Sequence, residues 1–373
     1  MSKSNNKKIC IVVQSLSKGG AERSSALLSK MLFSLGYDVH IVTVLSGVDY
    51  EYSGTHFNLG ELKDKRDTFF GRIHRLQVFK KYLKTHQFDV IIDNRSRVQA
   101  FTEFIITTFI YKLPTVYVIH NFETSKSFTK YAWLNTLLYK NKMMTCVSSE
   151  AKMKFETQFK LNRIKVIYNG FDFKTIELQS QEQTAEEIDD YIIYYGRIDD
   201  DHKNLKLLLE AYKQSKLIAQ KIKLLILGDG PDIHAIENYT KQLQINDNVV
   251  FKGFTSNPYP YVKNAKFTLL TSRHEGFPMV IPESLSLEVP VISVDCKSGP
   301  SEVITNGFNG LLVENYNAKA LADAMNSFIF DLDLYIKCKS NAKKSVEQFS
   351  VEYISKDWQN VINTLDETSK TNF

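Results

Sequence analysis

Cysteine is scarce in this 373-residue chain, and the four present, Cys10, Cys146, Cys296 and Cys338, show neither ligand-like nor Cys-x-x-Cys spacing. That scatter argues against a disulfide framework and against a zinc site. Cys10 and Cys146 fall in apolar, strand-like runs and read as buried thiols in a reducing compartment. A long hydrophobic run is missing too. The most apolar stretch, 101–119, is broken at Thr107, Lys112 and Pro114, short of the roughly 20 unbroken residues that a membrane span needs. Nor does a secretory signal open the chain: residues 1–8 are polar and basic, and the apolar run 9–13 is too short for a signal core. The expected location is the cytoplasm.

What is present fits a soluble globular protein, with 43% hydrophobic and 24% charged residues. The length exceeds what one hydrophobic core usually serves, so two domains are expected. The net charge of +5 conceals an asymmetry: residues 1–168 hold 26 Lys and Arg against 13 Asp and Glu, a net of +13, and the remainder carries −8. A basic half can concentrate near anionic lipid or a polyphosphate acceptor, or it can simply keep the protein soluble. Peripheral contact with the inner face of an anionic membrane is therefore one expectation. Nucleic acid is not an expected partner.

Short apolar runs alternate with helical patterns along the first half. Run 8–13 precedes a glycine turn, a helical pattern over 21–35, Gly36 and a second run over 38–44; further runs follow at 89–92, 115–119, 144–147 and 165–167. This order implies a parallel, doubly wound α/β sheet. Between them, 68–84 carries Phe69, Ile73, Leu76, Phe79 and Leu83 at steps of three and four, with Arg72, Arg75, Lys80, Lys81 and Lys84 on other faces. It reads as an amphipathic helix that covers the sheet with its apolar side, or else touches a membrane. After Asn169-Gly170 the stretch 171–190 turns polar and acidic, as a linker does. The alternation then restarts, with strands at 191–195, 223–227, 249–252, 267–270 and 291–294 and helices at 205–215, 233–244, 258–264 and 282–287. The predicted domains are 1–170, a linker 171–190, 191–350, and a last helix over 351–373. Ligands in such sheets bind beyond the carboxyl ends of the strands, so chemistry is sought in the loops there.

One of those loops is His274-Glu275-Gly276-Phe277-Pro278, followed by Pro282-Glu283-Ser284-Leu285. Pro282 suits the first turn of a helix, where a missing N–H does no harm. Glu275 then lies in the loop and Glu283 near the helix start, within reach of one pocket. The helix start also favours an anion, so the two carboxylates are expected to face neutral hydroxyls, as on ribose and a hexose. Two other pieces stand earlier: Tyr195-Gly196-Arg197 running to Lys203-Asn204, and Gly228-Asp229-Gly230-Pro231. Arginine offers a fixed fork of donors and lysine a mobile point charge, a combination suited to polyphosphate.

In order and spacing these three motifs resemble the signature of glycosyltransferase family 4. The resemblance implies a GT-B fold, two Rossmann-like domains facing a central cleft. It implies that Arg197 and Lys203 hold the donor diphosphate, that Glu275 contacts the sugar and Glu283 the ribose, and that Gly228, Gly230, Gly276, Phe277 and Pro278 line the donor site. In the first half, Lys18-Gly19-Gly20-Ala21-Glu22-Arg23 resembles the family's glycine loop, with Gly19 and Gly20 letting backbone approach a phosphate. His120, ending 115–119, resembles a histidine placed near the donor sugar. Ser298-Gly299-Pro300-Ser301-Glu302 resembles a pocket edge, and Asn309-Gly310 reads as structural.

The implied reaction is retaining transfer of a hexose or N-acetylhexosamine from a nucleoside diphosphate sugar to a glycan or polyprenyl-diphosphate-linked acceptor. UDP-sugar is favoured and GDP-mannose second. Glu275, His120, Arg197 and Lys203 are the expected catalytic set, and no metal or other cofactor is called on. Asp199-Asp200-Asp201 could hold a divalent ion in a different architecture, but between Arg197 and Lys203 it reads as a surface turn. Competing readings are a nucleotide-sugar epimerase or phosphorylase of the same fold, and an inactive sugar-nucleotide binding protein.

Overall fold

The structure, a computed structural model, describes residues 7–17, 19–183 and 188–370. It divides into two compact units, one of Met1–Gly170 with Val351–Phe373 and one of Phe171–Ser350.

Unit 1 is a seven-stranded parallel sheet of β1 (Lys8–Val13), β2 (Asp38–Thr43), β3 (Thr55–Asn58), β4 (Val90–Asp93), β5 (Thr115–Ile119), β6 (Met143–Cys146) and β7 (Ile164–Val166). Their order across the sheet is β3-β2-β1-β4-β5-β6-β7. Ile9 sits opposite Val39 on one side and Val90 on the other. Helices cover both faces, which is why the central strands are unbroken apolar runs and not alternating ones. On one face, Phe79, Leu83, Ile106, Ile110, Leu138, Phe155 and Phe159 form the core. On the other, the helix Gly20–Ser34 gives Leu28, Met31 and Leu32, and the helix Val351–Lys370 gives Ile354, Trp358, Val361 and Ile362.

Unit 2 is a six-stranded parallel sheet of β8 (Tyr191–Tyr195), β9 (Lys223–Leu227), β10 (Val249–Lys252), β11 (Thr268–Leu270), β12 (Val291–Val294) and β13 (Gly310–Val313). Their order across the sheet is β10-β9-β8-β11-β12-β13. In both sheets the chain runs outward from a central strand and then returns to that strand's other side. This creates a switch point between β1 and β4 in unit 1 and between β8 and β11 in unit 2, the places where α/β sheets open a crevice for ligands.

Several expectations need correction. The stretch 171–190, expected as a linker, contains the helix Phe173–Gln179, started by Asp172 accepting from Thr175 N–H and tied to the rest of unit 2 by Lys343 with Glu177. Residues 184–187 of that linker lie outside the described ones. The helix over 68–84 runs Phe69–His86 and buries only its later apolar residues, Phe79 and Leu83, leaving Phe69, Phe70 and Ile73 exposed. Polar links hold its first turn instead: Thr68 Oγ1 accepts from Gly71 N–H, and Arg75 donates to Arg66 O and Asp67. The edge strand β3 and the helix Gly60–Lys65 were not anticipated. The helix after β11 starts at Val280, two residues before Pro282.

All four cysteines are buried and none is in a disulfide among the described residues. No helix among the described residues is long and apolar enough to cross a membrane.

Candidate functional site

In unit 2 the motifs gather at the switch point. Lys203 ends the short helix Asp200–Lys203 that follows β8, and its Nζ donates to Glu275 Oε1 at 2.6 Å. The two residues, expected to take separate tasks, form one ion pair. Further bonds stitch their loops together: Thr271 Oγ1 donates to Lys203 O at 2.9 Å, Arg273 N–H to His202 O at 2.8 Å, and His202 Nε2 to His274 O at 2.7 Å. The loop after β12 braces the Glu275 segment from behind, Glu275 N–H donating to Lys297 O at 2.7 Å and Ser298 N–H to Glu275 O at 3.1 Å.

Electrostatics keep Glu275 ionised. Burial alone would raise the Glu275 carboxyl, but the Lys203 ammonium hydrogen-bonded to it brings it below its ordinary value. Burial and Lys203 lower His202, so its imidazole is neutral and its Nε2–H is the donor to His274 O. Arg197 stands apart from the pair. Its guanidinium is largely exposed, with Nε 3.7 Å from Asp199 Oδ2. Asp200 is engaged in the turn itself, Oδ1 accepting from Lys206 N–H at 3.0 Å.

Gly228 and Gly230 act through close packing. A Cβ on Gly228 would lie 2.0 Å from Gly196 O, and one on Gly230 2.0 Å from Ile198 O. With Ile198 N–H donating to Asp229 O at 2.9 Å, the loop after β9 is laid backbone to backbone along the loop that carries Arg197. Phe277 is buried beside Phe349 and Phe171, Gly276 O accepts from Ser298 Oγ at 3.2 Å, and Pro278 packs against Gly299. Glu283 is buried in the helix Val280–Ser286 with Oε2 3.3 Å from the Tyr195 hydroxyl, which also donates to Val280 O at 2.9 Å. Asn309 is buried and ties Val303 O to Ser345 Oγ.

Unit 1 places its candidates at strand ends too. Gly19 caps the helix Gly20–Ser34, and a Cβ there would fall 2.1 Å from Glu22 Oε2. Lys18 lies outside the described residues. His120 follows β5, with Nε2 2.7 Å from Asn94 Oδ1 at the end of β4. Burial, with Arg97 adding to it, lowers His120 to about 4. The neutral ring therefore donates Nε2–H to Asn94, while the buried Nδ1 has no partner among the described residues.

Beside them is a buried charge cluster that sequence reasoning missed. Arg95 grips both oxygens of Asp93, at 2.9 and 2.8 Å, and reaches Glu103 Oε1 at 3.2 Å. Tyr139 Oη donates to Glu103 Oε2 at 3.1 Å, and Arg97 donates to the carbonyls of Arg95 and Val118. A signal for it existed: Glu103 is the one charged residue in the segment 101–111, whose other residues are aromatic, aliphatic or threonine.

Residues 18–175 match the model of Glycosyltransferase Family 4 and residues 175–345 that of Glycosyl transferases group 1. The chain is 28% identical, over 94% of its length and 98% of the relative's, to the N-acetylgalactosamine-N,N'-diacetylbacillosaminyl-diphospho-undecaprenol 4-alpha-N-acetylgalactosaminyltransferase of Campylobacter jejuni. It is 33% identical, over 44% of its length and 46% of the relative's, to the lipopolysaccharide 1,6-galactosyltransferase of Escherichia coli. Among solved structures it resembles Anabaena HepE in complex with UDP and glucose, with a TM-score of 0.77 and 20% identity over 96% of this chain and 100% of that one. With two consecutive family models spanning both parallel-sheet units, this chain is a glycosyltransferase of GT-B fold and belongs to family 4.

Proposed function

We propose that the chain transfers a hexose or N-acetylhexosamine from a nucleoside diphosphate sugar to a hydroxyl of a glycan or polyprenyl-diphosphate-linked acceptor, with retention at the anomeric carbon. The process it serves is synthesis of a bacterial surface polysaccharide or lipooligosaccharide. The observation that carries this reading is the Lys203–Glu275 pair, a buried carboxylate holding an ammonium at the switch point of unit 2. UDP-sugar is the favoured donor, supported by the UDP and glucose in HepE, with GDP-mannose second. The acceptor class is supported by the diphospho-undecaprenol in the Campylobacter relative's name.

A nucleoside diphosphate leaves as an anion while the sugar becomes cation-like. Lys203 and the exposed Arg197 neutralise the leaving charge, the expected main catalytic contribution, and no metal is asked for. Glu275, kept ionised by Lys203, accepts from sugar hydroxyls and is not the proton donor of a two-carboxylate hydrolase. Glu283 takes the ribose hydroxyls. From unit 1, neutral His120 offers Nδ1 to a hydroxyl, and Gly19 and Gly20 give backbone access to phosphate. Such an acceptor places the enzyme at the cytoplasmic face of the membrane.

Incubation with UDP- and GDP-sugars and undecaprenyl-diphosphate-linked acceptors should yield a glycosylated product by mass, with the donor's anomeric configuration by NMR, and chelator should not reduce the yield. Nucleotide release without a glycosylated product would overturn the reading.

A further inference from the structure

The helix Ala100–Ile105 and the π-turn Ile106–Ile110 that continues it carry their polarity the wrong way round for a segment facing water. The inward side holds Glu103, bonded to Arg95 and Tyr139, and Thr107, both buried. The outward side is phenylalanine: Phe101 is 72% exposed, Phe109 50% and Phe104 40%. Phe104 and Phe109 are five residues apart, yet their rings approach to 6.0 Å. The π-turn, closed by Tyr111 N–H on Ile106 O, puts five-residue neighbours on one side. The next exposed side chain is Lys112, with Nζ 6.0 Å from the Phe109 ring.

The helix Ala132–Tyr139 repeats the inversion. Its inward residues include buried Asn135 and Tyr139, while Trp133 and Leu137, one turn apart, are 68% and 67% exposed. Lys130 and Lys140 flank it, both exposed. The Tyr139 hydroxyl on Glu103 joins the two helices through their inward faces. Their amino ends border one cavity of about 470 Å³, with Val98 and Ala100 on one side and Lys130 and Tyr131 on the other. Across 100–112 and 130–142 the only acidic residue is Glu103, and it is buried.

Single exposed apolar residues need no explanation, but five large ones on joined helices ringed by cations mark an interaction face. Lysine at the rim decides between partners. Protein interfaces are depleted of it, whereas bilayers attract it to lipid phosphate and take tryptophan and phenylalanine at headgroup depth.

We propose that this face docks on an anionic lipid bilayer, Trp133, Leu137 and the three phenylalanines entering the headgroup layer while Lys112, Lys130 and Lys140 pair with lipid phosphate. The surface deepens the proposed function by bringing the enzyme to where a lipid-linked acceptor lies. Docking itself requires neither donor nor acceptor.

The test is sedimentation of the full chain with vesicles of phosphatidylcholine containing phosphatidylglycerol, read alongside tryptophan fluorescence. The chain has two tryptophans, and Trp358 is 5% exposed in the core of unit 1, so a blue shift on adding vesicles reports Trp133. Phosphatidylglycerol vesicles should bind the protein and shift its emission, and pure phosphatidylcholine should do so far more weakly. A Phe101→Ser, Phe104→Ser double variant and Trp133→Ser should each weaken binding about tenfold. Each Lys→Ala change should weaken it about fivefold. Thermal melting should stay unchanged, because the altered side chains face outward. Equal binding to both vesicle types, equal binding by the variants, or a dimer that these same substitutions dissolve would overturn the proposal. If vesicle binding behaves as expected while no acceptor is glycosylated, the functional reading falls and the docking surface stands.

Discussion

Both units set charged side chains at the carboxyl ends of the strands around their switch points, and they treat those charges differently. In unit 1, Asp93, Arg95 and Glu103 are sealed inside, the guanidinium gripping both carboxylates and Tyr139 completing Glu103. In unit 2, Lys203 meets Glu275 through one 2.6 Å hydrogen bond and keeps 18% of its side chain exposed, while Arg197 keeps 68%. A saturated buried network is rigid and costly to break. A partly exposed cation held by a buried anion is ready for a third charged group. The first arrangement is scaffold, and the second is where chemistry is expected.

The sharpest way to break this contrast is Arg95→Met, which leaves Asp93 and Glu103 buried without their cation. It should destabilise the protein by about 3–5 kcal/mol in urea unfolding, whereas Lys203→Met should cost clearly less. Equal costs would remove the distinction. Next, Lys203→Ala should lower turnover roughly 10²–10³-fold with little change in melting temperature, measured with whichever donor and acceptor pair proves active. Gly228→Ala probes the scaffold of unit 2: at φ +145°, with its Cβ 2.0 Å from Gly196 O, it should cost about 1–3 kcal/mol, visible in thermal unfolding.

The smallest effect is in the pH dependence. His120 titrates near 4 in the fold against an ordinary 6.5, so between these values the unfolded chain binds a proton that the folded one does not. Stability should fall as pH drops through that window and level off below it, and His120→Gln should remove this part. Glu275 works lower. Its stabilisation is full above the ordinary carboxylate value of 4.5 and is lost as pH falls through its depressed folded value. Lys203→Met should abolish that loss. Urea midpoints at three pH values for each variant test both signs.

Much of the fold was legible because buried parallel strands leave an unmistakable mark: 8–13 and 191–195 are apolar on both faces, so alternation is absent and length alone identifies them. β3 escaped because an edge strand of Thr55, His56, Phe57 and Asn58 pairs on one side only and lacks such a run. Half of the stripe on the helix Phe69–His86 was misread because spacing shows which residues share a face but not how far the sheet extends beneath them. Glu275, Glu283, Lys203 and Arg197 were singled out through motif spacing and the family resemblance, yet the Lys203–Glu275 bond spans 72 residues and no local pattern encodes it. Asp93-Asn94-Arg95-Ser96-Arg97 went unread for the same reason, since its partners Glu103 and Tyr139 arrive from later helices.

The helix Val351–Lys370 belongs to unit 1, although all of unit 2 is translated between it and the rest of that unit. Trp358, Val361 and Ile362 fill a core whose other walls have all emerged about 180 residues before this helix begins. At ribosomal speeds that is a wait on the order of ten to forty seconds, during which Leu28, Met31 and Leu32 have no lid. Unit 1 is thus begun first and completed last, and its first-made surface is the one a chaperone would have to guard during synthesis.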